Sequence, residues 1–273
     1  MALVPFPGSQ TGAYRTPPED EDDDGSGAKM SFLEHLDELR KRIVNSLIGI
    51  VVGVCASFFF IDRIGRFLLA PAQRILAPGS KLMYTEPNEA FSFYVWIGLI
   101  AGGVLAAPYI MYQFWLFIAP GLYANEKRMA IPFVAMSTIG FLVGALFNHY
   151  VVFPWMMVFF ASFNTPDLLF MPKLDAVFDL YAKMLLGMGI IFQMPTIVFF
   201  LAKMRVITAR FLWKNFRYAI LIIFIIAAII TPTGDMVNQT VFAAPMVGLY
   251  LLSIAIAWIV NPRKKQGESS PDE

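Results

Sequence analysis

Six long stretches of this chain carry almost no charge: roughly Ile43–Ile61, Phe93–Ile118, Met129–Phe153, Phe178–Ala202, Tyr218–Thr231 and Val237–Val260. No other feature limits the fold as much. A helix needs about 20 apolar residues to cross a ~30 Å hydrocarbon core, and only helices or closed barrels satisfy their own backbone there. The fifth run, at 14 residues, reaches only about 21 Å as a helix. Either its polar flanks enter the interface or the bilayer is thinner there; a five-span chain with a re-entrant fifth run is the lesser alternative. Composition agrees with a membrane protein. Hydrophobic residues make up 58% of the 273 and charged ones 15%, too apolar for a water-soluble fold without large exposed patches and far too apolar for disorder. The expected fold class is an all-α integral membrane protein of six transmembrane helices, in contact with the lipid bilayer.

The charges then set topology. With the amino terminus cytoplasmic, fourteen Lys and Arg from Lys29 to Lys265 fall inside and six from Arg63 to Lys183 outside; Arg15 in the distant tail completes the 21. This bias places both termini in the cytoplasm, consistent with an even number of spans. Three regions follow. Residues 1–29 form an acidic cytoplasmic tail, disordered by the repulsion within the run Glu19–Asp24, and Met30 is an alternative start. Residues 30–260 form the six-span membrane domain, and 261–273 a cytoplasmic C-terminal tail. Ser31 and Glu34 have capping-box spacing. Phe32, Leu36, Leu39 and Ile43 repeat at helical spacing, which predicts an amphipathic helix lying along the membrane surface before the chain turns in. The outside connections near 62–92 and 154–177 are long and proline-rich, long enough for a structured cap. Prolines within or beside the spans, among them Pro108, Pro120, Pro132, Pro195 and Pro245, predict kinked helices and a curved bundle.

Chemistry is sparse. The span centres hold no Asp, Glu, Lys or Arg, which argues against ion-coupled transport. The one strongly polar midspan residue is Gln193, before Pro195. Metalloprotease, phosphate-loop and nucleophile-elbow motifs are missing, and there are only two histidines, His35 and His149. An enzyme is not expected, nor a cofactor or metal. A net charge of +1 gives no reason to expect nucleic-acid binding. Two carboxylates lie among basic neighbours on the cytoplasmic side: Glu38 before Arg40-Lys41-Arg42, and Glu126 before Lys127-Arg128. By spacing alone, Glu126 is a helix-start acid behind Asn125, and Glu38 pairs with Arg42 at i,i+4. The alternative is a receptor for cations, especially guanidinium groups, which dock on carboxylates through two hydrogen bonds.

Several motifs in order carry a resemblance. They are Phe32-Leu33-Glu34-His35-Leu36-Asp37-Glu38-Leu39-Arg40-Lys41-Arg42, then Tyr112-Gln113 with Trp115, Phe117, Pro120-Gly121-Leu122-Tyr123 and Glu126. Phe192-Gln193-Met194-Pro195 follows, and then Thr231-Pro232 with Asp235, Gln239 and Pro245-Met246. Over about residues 30–260 the chain resembles the TatC family, the multispan receptor subunit of the twin-arginine protein translocase. The resemblance implies binding of twin-arginine signal peptides of folded cargo at the cytoplasmic face of the bacterial inner membrane. It assigns Glu38, Arg40, Phe117 and Glu126 to that site, with the peptide's apolar segment against the concave bundle. It implies single-span partners of the TatA and TatB type in an oligomeric complex, contacted near Thr231, Asp235 and Gln239, with Gln193 as an intramembrane polar contact. Pro71, Pro120, Tyr123 and Pro195 are structural in this picture. The family draws on the proton-motive force, yet two acids common in it are replaced here, by Gln193 and by Leu251, so no proton carrier is identified. A six-span small-solute permease is the alternative function, although it would need a polar midplane site and internal repeats are not evident. An intramembrane hydrolase would need a nucleophile that no motif here supplies.

Overall fold

The computed structural model describes residues 32–76, 81–118, 130–165, 167, 169–231 and 235–260. The two tails, Pro120, Tyr123 and Glu126 therefore lie outside the described residues. The fold is a helical membrane bundle. Span one is α1 (Phe32–Phe58), followed by the short α2 (Ile61–Gln73). Span two is α3 (Glu89–Ile118). Span three is α4 (Ala130–Phe147), a π-helical turn at Asn148–Val152 and α5 (Phe153–Ala161). Span four is α6 (Leu174–Ile191) with α7 (Met194–Lys203). After the small α8 (Ala209–Lys214) come span five, α9 (Phe216–Ile230), and span six, α10 (Met236–Val260). Five spans are long and apolar enough to cross a membrane; α9, 15 residues and about 22 Å, is the short one. Alternation of six spans brings Phe32 and Val260 to the same end of the bundle, here called the terminal end.

Two expectations need correction. The amphipathic segment does not lie flat and then turn, because α1 is one continuous helix of 27 residues. No Gly or Pro interrupts residues 32–48, and the basic triplet contributes a contact to α3 through Arg42 instead of ending the helix. The third span does not stop near Phe153. It absorbs Pro154 by widening one turn, so that the Phe153 amide reaches back five residues to the Asn148 carbonyl, and then runs on to Ala161.

The seam between α1 and α3 sets the register of everything at the terminal end. The helices run antiparallel and touch in steps. Gly49 lies against the Tyr109 ring, Gly53 against the Gly102 backbone, and the Ser57 hydroxyl donates to the Gly98 carbonyl at 2.9 Å. A Cβ on Gly102 would lie 2.5 Å from the Val54 amide nitrogen. Only glycine allows so close a backbone approach. The main core is one continuous apolar cluster that includes the buried Phe153 and Met156 of α5, Met184 and Met188 of α6, and Phe242 and Met246 of α10, which packs chiefly on α7 and α9. The fourth span breaks at Phe192–Gln193 because Pro195 has no N–H to donate. The Gln193 main-chain amide bonds the Ile190 carbonyl instead, and its side-chain amide satisfies the Gly189 carbonyl at 3.3 Å and reaches Ser137 O of α4 at 3.1 Å.

The end away from the termini does carry a structured cap. Pro71 is buried inside α2, against the bundle. Met83 and Lys173 form an isolated β-bridge, with the Leu174 amide donating to the Met83 carbonyl at 2.8 Å. Glu89, at the start of α3, joins the two long connections. Its carboxylate accepts from the main-chain N–H of Thr85 (2.9 Å), Glu86 (3.4 Å) and Asp175 (3.0 Å), with Lys173 Nζ 3.8 Å away. Because one side chain holds both loops, Glu89→Ala is expected to release them together. Limited proteolysis between residues 81 and 90 and near 172 should accelerate several-fold, with the helical signal in circular dichroism unchanged.

Candidate functional site at the terminal end of α1 and α3

Two contacts fasten α1 to α3 at the terminal end, and Glu38 sits between them. The His35 ring stacks on Phe117 with centroids 4.6 Å apart. Seven residues on, and so on the same face of α1, Arg42 Nη1 donates to Gln113 Oε1 at 3.3 Å. Between them, Glu38 Oε1 accepts from Arg42 Nη2 at 2.8 Å. This is the i,i+4 pair anticipated from spacing. Both side chains are mostly buried, 14% exposed for Glu38 and 20% for Arg42. A bare carboxylate there would be costly, which is why a cation accompanies it. Among the described residues, Glu38 Oε2 meets no donor, so this carboxylate has capacity for another.

The expected residues are only partly assembled. Glu38 and Phe117 share this cluster. Arg40 is exposed and lies two residues past Glu38, so it faces another side of the helix. Arg42 and Gln113, which the motif assignment did not select, are the groups that touch at this point. Their signal was visible in the seven-residue spacing of His35, Arg42 and Gly49. Glu126 lies in the sequence between Ile118 and Ala130, outside the described residues.

The other polar residues form separate groups. At the end of α9 Thr231 is buried, and its hydroxyl has no partner among the described residues. Asp235 accepts from the Asn238 amide at 2.8 Å, capping α10. Gln239 Nε2 donates to the Phe224 carbonyl at 2.9 Å and joins α10 to α9. Gln193 stands alone in the bundle, its donors used at the helix break. Leu251 is 43% exposed on the outer surface of α10. A groove of ≈ 750 Å³ opens between α1, α3, α4 and α6. Trp96, Leu99, Val104, Phe141 and Leu186 line it, and Asp179 and Lys183, paired at 2.6 Å, sit at its capped end. Among the described residues no group of three or more His, Cys, Asp or Glu is placed to hold a metal ion.

The family model for Sec-independent protein translocase protein (TatC) matches residues 34–245. The chain belongs to the TatC family. It is 42% identical over 249 residues to the TatC protein of Koribacter versatilis, covering 89% of this chain and 91% of that one. It is 40% identical to the TatC of Helicobacter pylori strain 26695, over 86% and 90% of the two chains, and 35% identical to that of Aquifex aeolicus, over 87% and 98%. A crystal structure described as the twin-arginine translocase receptor TatC superimposes with a TM-score of 0.71 at 35% identity, covering 83% of this chain and 99% of that chain. As a TatC-family chain this is a multi-pass membrane component of a protein translocase, and nothing in the family comparison supports a solute permease. The family is one of transport, not of catalysis.

Proposed function

We propose that this chain is the receptor core of a twin-arginine translocase in a bacterial inner membrane, with both termini cytoplasmic. It binds twin-arginine signal peptides of folded cargo at the terminal end. The observation that carries this reading is Glu38: a mostly buried carboxylate, fixed between two inter-helix contacts, already holding a guanidinium at 2.8 Å. A site that accommodates one guanidinium has the geometry to accept another. Glu126, in the neighbouring connection, supplies the second acid, Phe117 a stacking wall, and Arg40 an exposed cationic rim. The cytoplasmic placement of this end rests on the positive-inside bias of fourteen basic residues in the sequence against six. The apolar groove between α1, α3 and α6 is of the right character for the signal peptide's apolar segment. Single-span TatA- and TatB-type partners contact Thr231, Asp235 and Gln239 at the α9–α10 turn, with Gln193 as a deeper polar contact, in an oligomeric complex.

Photo-crosslinking of a twin-arginine peptide to the protein in nanodiscs tests the site. Each carboxylate-to-alanine change removes a charge-assisted bond worth about 1.5–3 kcal/mol, roughly 10- to 100-fold in affinity. Glu126→Ala and Glu38→Ala together should abolish the crosslink while the protein still inserts and stays monodisperse. Crosslinking that survives the double change rejects the site.

A further inference from the structure

We infer that Arg42 is a resident counter-ion that occupies Glu38 in the empty receptor, and that an incoming guanidinium must displace it, which makes this position select arginine over lysine. The inference rests on the reading of Glu38 as a signal-peptide contact and adds how that contact discriminates.

The geometry divides Arg42 between two acceptors. One terminal nitrogen, Nη2, meets Glu38 Oε1 at 2.8 Å, and the other, Nη1, meets Gln113 Oε1 at 3.3 Å. The third nitrogen, Nε, is buried with no partner among the described residues. Arg42 therefore grips Glu38 by a single N–H, from a helix position that aims the rest of its fork at α3. A guanidinium arriving from outside is not bound by that register. It can present two parallel N–H groups to both oxygens of the carboxylate, which is the stronger arrangement. Exchange of Arg42 for such a ligand is favourable, and Gln113 is already in place to retain the displaced group. A lysine brings one compact charge, so it replaces a single contact with a single contact and gains little. Without Arg42, Glu38 would be a mostly buried bare carboxylate, and any cation would be drawn to it. The resident arginine thus lowers affinity for all cations and lowers it most for the wrong one.

The test compares binding of a labelled twin-arginine peptide and its twin-lysine counterpart to the full-length protein in nanodiscs, by fluorescence anisotropy, for wild type, Arg42→Gln, Arg42→Lys and Glu38→Gln. Arg42→Gln removes the competing charge and keeps a polar side chain near Gln113. It should bind the arginine peptide about 3- to 10-fold more tightly, a gain of up to one decade in Kd. The lysine peptide should gain more, so that the preference narrows toward unity. Arg42→Lys, a weaker single-point competitor, should shift both in the same direction by less, and it decides the matter if Arg42→Gln fails to fold. Unchanged or weaker binding by the Arg42 variants, with Glu38→Gln also weakened, overturns displacement and leaves Glu38 as a receptor acid. Unchanged binding by Glu38→Gln overturns the site itself and this inference with it.

Discussion

Gly102→Leu is expected to be the most damaging single change in the first two spans. A Cβ at this position falls 2.5 Å from the Val54 amide nitrogen and 2.6 Å from its Cα. Those neighbours are backbone, so no rotamer change relieves the clash. The helices must separate, opening the Ser57–Gly98 bond and shifting the register that brings Arg42 to Gln113 and His35 to Phe117. Overpacking of this kind costs about 3 kcal/mol. The measured result should be a lower melting temperature in detergent, together with weaker twin-arginine peptide binding although the substitution is remote from Glu38. The neighbouring Gly103 supplies the control, because a Cβ there meets nothing within 4 Å. Gly103→Leu should hold stability or raise it by up to about 1 kcal/mol, the usual gain from removing a helical glycine.

Asn148→Leu is expected to act in the opposite direction. Asn148 is wholly buried in the π-helical turn, and among the described residues neither Oδ1 nor Nδ2 has a hydrogen-bond partner. An unpaired buried amide costs about 1–3 kcal/mol, and leucine replaces its side chain atom for atom in branching. The variant should melt at a higher temperature, with the neighbouring His149–Tyr181 contact of 3.1 Å retained. A fall in melting temperature would show that the amide is satisfied in the membrane by something the leucine expels. Asn148→Asp, which places a charge at the same point, should be strongly destabilising by comparison.

Much of this fold was readable from the chain because its signals are local. Apolar run lengths located the spans, and Pro195 marked the break in the fourth. The i,i+4 spacing of Glu38 and Arg42 predicted their pair. What escaped reading depends on partners far along the chain. Nothing near Glu89 announces that its carboxylate will collect the amide of Asp175, 86 residues on. The surface helix was misjudged because a basic triplet before an apolar run usually marks the membrane boundary. Here one of its members turns inward to Gln113. The π-helical turn has a signal in Pro154, but proline permits a kink, a break or a widened turn, and only packing against α6 chooses among them. The α1–α3 seam was legible in principle, since Gly98 and Gly102 stand four apart. What the chain alone does not reveal is which helix they face. At the terminal end the partner within α1 was legible and the partner across the seam was not: spacing pairs Glu38 with Arg42, but nothing local announces Gln113, 71 residues on.

The unbroken α1 has a mechanical consequence. Glu38 lies fifteen residues from Gly53, about 22 Å along a single rod, and the crossing at Gly53–Gly102 is where the two rods touch backbone to backbone. That crossing is a fulcrum. A tilt of roughly 10° about it would carry Glu38 and Arg42 together by roughly 4 Å past α3, farther than the 3.3 Å that separates Arg42 from Gln113. At the opposite end the same tilt would move Phe58 much less, because the short arm is only five residues long. A small displacement near the capped end would therefore be geared up at the terminal end, and a ligand pulling on Glu38 would work on the long arm, so that a modest force there becomes a larger one near Phe58.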